Sequence, residues 1–72
     1  MEYILTTVVH DSIAEDMKMP AYTPVSELID ALSEIIGKTW RTLHAKPKGI
    51  ILDTNKTLAQ QGIEHGAILT LN

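Results

Sequence analysis

The chain has 72 residues, 44% of them apolar and 21% charged, with a formal net charge of −3. A chain this short makes one small domain, expected here over residues 1–72, and such a domain buries only about 60% of the surface its unfolded form exposes, too little to wall a roomy enclosed substrate pocket. Without cysteine it has no disulfide framework, thiol nucleophile or thiolate metal site, no run approaches the roughly 18 apolar residues of a membrane span, and the start Met1-Glu2-Tyr3-Ile4 lacks the basic opening of a secretory signal, so the expectation is a cytoplasmic protein.

Tyr3 to Val9 is rich in β-branched and aromatic residues and reads as a strand. His10-Asp11-Ser12 is a polar break, and Ile13 to Met19 alternates, with Ile13, Met17 and Met19 on one parity. A three-residue loop pairs Val9 with Ile13, Leu5 with Met17 and Tyr3 with Met19, all apolar. A two-residue loop at Asp11-Ser12 pairs Val8 with Glu15 and Leu5 with Lys18, a poorer match. The first register is therefore expected. It turns Tyr3, Leu5 and Val9 to the core and Ile4 and Val8 to the outer face.

Thr23 reads as an N-cap and Pro24 as the first helical residue. Val25, Leu28, Ile29, Leu32, Ile35 and Ile36 then form a stripe at helical period. Gly37 is a left-handed stop, and Lys38 suits the negative end of the helix dipole. Thr39 to Ala45 reads as a short strand and Gly49 to Leu52 as another, joined by a turn at Lys46-Pro47-Lys48-Gly49. Thr57 to Ile63 is a short turn anchoring Leu58 and Ile63. Ala67 to Asn72 is the last strand, with Leu69 and Leu71 inward. A hairpin, one amphipathic helix and further strands make an α+β layer pattern. With the last strand beside the first, it is a β-grasp: a mixed sheet packed by one helix.

Thr57-Leu58, Gly62-Ile63, the Gly66 turn and Leu69-x-Leu71 resemble the C-terminal half of ubiquitin-like domains. Met17-Lys18-Met19-Pro20-Ala21-Tyr22-Thr23-Pro24-Val25, followed by Leu28-Ile29-x-x-Leu32, resembles the YukD/EsaB group. These are small ubiquitin-like proteins associated with type VII (WXG100) secretion in Gram-positive bacteria. The resemblance implies a non-catalytic protein-interaction module, an accessory or regulatory component of such a system. It implies protein partners in the secretion machinery, through which the chain sits at the membrane without inserting. The alternative is a protein modifier or sulfur carrier. Such proteins activate the carboxylate of a diglycine tail, and the sequence stops at Asn72 without one, as in the YukD/EsaB group.

The residues that could carry chemistry read more simply as surface. His10, Asp11 and Ser12 are the residue types of a hydrolytic triad, but three consecutive turn residues point apart. His10, His44 and His65 lack the paired spacing of a zinc site. No enzymatic activity, metal or cofactor is expected. Residues 1–36 hold seven acids and one base, and residues 37–72 five bases and two acids. That asymmetry can steer the chain toward a matching partner. Glu27, Asp30 and Glu34 share a helix flank and could dock a basic partner. Trp40, Arg41, Lys46 and Lys48 form a basic stretch with one aromatic, yet the acidic net charge argues against nucleic acid. The outer sheet face is the expected interaction surface. In the register above it carries Ile4, Val8, Ile68 and Thr70, joined by Trp40 and His44, and contiguous apolar patches of that kind mark binding sites. Binding a partner or a second copy as a homodimer are its two expected uses. The competing expectation for Trp40 is a cover over the C-terminal end of the helix.

Overall fold

The computed structural model describes residues 2–46 and 48–72. The expected turn at Lys46–Gly49 includes Pro47, which with Met1 lies outside the described residues. In chain order the elements are β1 (Tyr3–His10), β2 (Ile13–Pro20), helix α1 (Val25–Ile36), β3 (Leu43–Lys46), β4 (Ile50–Ile51), a 3₁₀ turn (Ala59–Gln61) and β5 (Ala67–Leu71). The strands lie in the order β2-β1-β5-β3-β4. β1 and β5 run parallel at the centre, and the other pairs are antiparallel. This is the expected mixed sheet with one helix. The strand expected at residues 39–45 starts only at Leu43 and runs on to Lys46 as β3, and the one expected at 49–52 shortens to β4.

The hairpin takes the register the sequence argument disfavoured. His10 pairs with Ile13, Val8 with Glu15, Leu5 with Lys18 and Tyr3 with Pro20. Its loop is the two residues Asp11 (φ 52°) and Ser12 (φ 88°). Positive φ at both central positions matches the right-handed twist of the strands, the reason two-residue hairpins favour such turns. Every side chain of β1 is thereby reversed. Ile4, Thr6, Val8 and His10 face the core and are buried, while Tyr3 and Leu5 are 43% and 49% exposed. The placement of Ile4 and Val8 on the outer face is therefore corrected: they are 2% and 0% exposed. Pairing apolar residues across the hairpin treated β2 as a fully covered strand. It is instead a sheet edge, where Met19 is buried, Met17 half-buried, and Glu15 and Ile13 exposed. The neighbour that governs β1 is β5, whose Leu69 stands beside Val8.

Buried Thr6 is accommodated because its hydroxyl donates to the Met17 carbonyl at 3.1 Å. The helix buries Val25, Leu28, Ile29 and Leu32 against Leu43, Leu58, Leu69 and their neighbours. Ile36 packs at the margin, and Ile35, read as part of the stripe, is 78% exposed. Pro24 is the N-cap residue, with no side-chain cap. The free N–H groups of Val25 and Ser26 donate instead to the carbonyls of Lys56 and Thr54. This satisfies helix-start donors that would otherwise be orphaned. Gly37 ends the helix in the left-handed conformation, its N–H on the Ser33 carbonyl. Leu58 and Ile63 are buried on either side of the 3₁₀ turn, as expected. No helix among the described residues is long and apolar enough to cross a membrane.

Candidate interaction surface

The outer face of the sheet follows from the register, since directly paired residues point to the same side. One row across the strands reads Asp16, Thr7, Ile68, Lys46. The next reads Ala14, Val9, Thr70, His44, Ile51. Below the first, Lys18 pairs with Leu5, and Gly66 lies beside Leu5, donating its N–H to the Leu5 carbonyl at 2.8 Å. The Leu5 N–H in turn donates to Nδ1 of His65 at 3.0 Å, clamping the turn before β5 against β1. An open groove of about 750 Å³ lies there, lined by Leu5, Thr7, Met17, Lys18, His65 and Gly66, with Thr6 and Asp16 completing its wall. The Lys18 ammonium sits 4.7 Å from the centre of the Tyr3 ring. Leu5, Ile68 and Ile51 are the exposed aliphatics of the face, at 49%, 40% and 63%.

Of the residues singled out in the sequence, His44, Ile68 and Thr70 do share this surface. Ile4 and Val8 lie beneath it in the core. Trp40 is also off it. Its ring packs on the helix side, 6.0 Å edge-on from the inward-facing His10, and its backbone N–H donates to the Ser33 hydroxyl. That is the cover over the helix end. The Lys38 ammonium lies 4.8 Å from the Trp40 ring centre, so a cation already occupies it. Leu5, Thr7 and Val9 take the places the sequence reading gave to Ile4 and Val8. β1 is apolar on both parities and carried no signal for them; it is the register against β5, with Val8 beside Leu69, that turns Val8 inward.

His10 is buried, with Nδ1 3.9 Å from Asp11, and Asp11 is held at 2.9 Å by Lys38. That hydrogen bond from Lys38 holds the Asp11 carboxyl below its ordinary pKa of 3.8. Among the described residues no hydrogen bond joins Ser12 to His10, and no group of three His, Asp or Glu side chains converges as a metal site would need. His44 faces outward and His65 serves the β1 clamp. Glu27, Asp30 and Glu34 are exposed along the helix.

The family model for YukD, described as a protein of the WXG100 protein secretion system (Wss), matches residues 4–71. No curated protein matches the chain. Among solved structures, a ubiquitin-like domain from Arabidopsis thaliana superposes with a TM-score of 0.81 at 21% identity, covering 100% of this chain and 78% of that one. The ubiquitin-like domain of EccD5 from Mycobacterium xenopi gives 0.76 at 17% identity, covering 100% and 94%. A chain from protomer 1 of the ESX-3 core complex gives 0.76 at 24% identity, covering 97% of this chain and 16% of that one. At these identities the likeness shows the fold, a ubiquitin-like β-grasp.

Proposed function

Because the chain belongs to the YukD family of the WXG100 (type VII) protein secretion system, we propose that it works as a non-catalytic interaction module of that system, an accessory or regulatory component. In this reading it is one ubiquitin-like domain, spans residues 1–72, and acts in the cytoplasm. It sits at the membrane through a protein partner of the secretion machinery. Support comes from the similar domains in EccD5 and in an ESX-3 core complex. The single observation that carries the docking surface is the outer sheet face. There Leu5 and Ile68 stand exposed on the two central strands beside half-buried Val9 and Thr70. Aliphatic side chains at the centre of a sheet face, rimmed by charge, are the arrangement that partner binding uses.

The test is affinity capture from the native cytoplasm and membrane fractions after mild cross-linking. Secretion components are expected to co-purify with the wild-type chain and to be lost with Ile68→Asp and Leu5→Asp, while Glu34→Gln on the helix flank retains them. Retention by both outer-face variants, with loss by Glu34→Gln, would move the docking surface to the acidic helix.

A further inference from the structure

The outer face has a symmetry that the strand order exposes. In the row Asp16, Thr7, Ile68, Lys46, the acid and the base stand at equal distances on either side of the seam between β1 and β5. We propose that this face is closed by the same face of a second copy, about a two-fold axis parallel to β1 and β5 and lying over their seam. The proposal rests on the outer face being the docking surface and names its occupant in the isolated protein.

A two-fold axis so placed lays β1 of one copy over β5 of the other. Asp16 of each copy then faces Lys46 of its mate, twice over by symmetry. An isologous contact must be self-complementary in this sense. Size matches as well as charge. The exposed Leu5 comes over Gly66, where a side chain would meet only open space, beside the groove that Gly66 helps to line. His44 comes over Ala14, and Ile68 over the shorter Thr7. Leu5, His44 and Ile68 thus each meet a smaller partner, as two sheets stacked about 10 Å apart require, while Ile51 on β4 lies outside the contact. A shift of the axis by half a strand spacing, onto β1, would break both matches, setting Asp16 opposite β5 rather than Lys46.

The axis makes a prediction that a general stickiness of the face does not. Asp16→Lys alone sets two lysines against each other at both pairs, and Lys46→Asp alone sets two acids against each other. Mixed together, the two variants restore an opposite-sign pair at both positions. Sedimentation equilibrium across roughly the micromolar to millimolar range is the measurement. The wild-type chain is expected to pass from monomer to dimer. Each single variant should dissociate at least about tenfold more readily, and the equimolar mixture should recover the wild-type constant. Both residues are exposed, and an unchanged thermal midpoint checks that both variants fold. The proposal is overturned if the wild-type mass stays monomeric throughout, if either single variant dimerises as well as wild type, or if the mixture fails to recover. Should it fall while Ile68→Asp still abolishes capture of secretion components, the docking reading stands without it.

Discussion

Asp11 and Ser12 hold the hairpin turn with positive φ although neither is glycine. The left-handed region costs an ordinary residue on the order of 1–2 kcal/mol. At Ser12, with φ 88°, glycine would sit without that cost, although it also adds freedom to the unfolded chain. Ser12→Gly is expected to stabilise the fold by about 0.5–1 kcal/mol net, read as a higher urea midpoint with an unchanged slope. Asp11 is different because its side chain is engaged by Lys38. Its folded pKa lies below 3.8, so the contact contributes at all pH values above the unfolded pKa. The contribution is lost as pH falls through the lower folded value. In Lys38→Met the Asp11 carboxyl should titrate closer to 3.8, followed by NMR of the side-chain carboxyl. An unmoved midpoint would mean that the lysine is not the cause.

At the scale of elements, the hairpin and the helix divide the sheet into a dry side and a wet side. Val8 and Ile68 are both aliphatic, on adjacent elements of the central pair, yet one is 0% exposed and the other 40%. Their aspartate variants should separate cleanly. Val8→Asp places a charge in the core with no partner and should leave the chain unfolded or nearly so, because burying an unpaired carboxylate costs several kcal/mol. Ile68→Asp lies between Thr7 and Lys46 and should cost no more than about 1 kcal/mol. Circular dichroism and a denaturant titration of each distinguish these outcomes, and equal stability of the two would contradict the register. On β2, charges at Glu15, Asp16 and Lys18 blunt an edge that would otherwise be free to pair with other chains.

The whole molecule has little stability to lose. At roughly 0.05–0.15 kcal/mol per residue, a domain of this size holds about 4–11 kcal/mol. Leu32 is 3% exposed in the cluster that joins the helix to the sheet, and Leu32→Ala should remove about 2–5 kcal/mol. The urea midpoint should therefore fall by a large fraction of its value, and an unchanged midpoint would mean the helix packs by another face. Much of this architecture was legible along the chain. The helix over Val25–Ile36 announces itself because its apolar positions recur at its own period and Gly37 stops it, all within one segment. The family showed in the stretch from Met17 to Val25, in Leu58, Gly62 and Ile63, and in Leu69 and Leu71, whose spacing is local too. The interaction surface was legible only in part. His44, Ile68 and Thr70 sit on strands whose inward residues are plain, whereas β1 is apolar on both parities and its own sequence does not say which set is core. That choice was made by contacts distant in sequence. β5 brings Leu69 beside Val8, the helix leaves most of β2 uncovered, and a turn that tolerates positive φ at Asp11 and Ser12 fixes the two-residue loop. The sequence by itself determined which segments become helix and strand, because those signals are local. Only the tertiary structure decided which face of β1 is buried, because burial depends on what the rest of the chain lays against it.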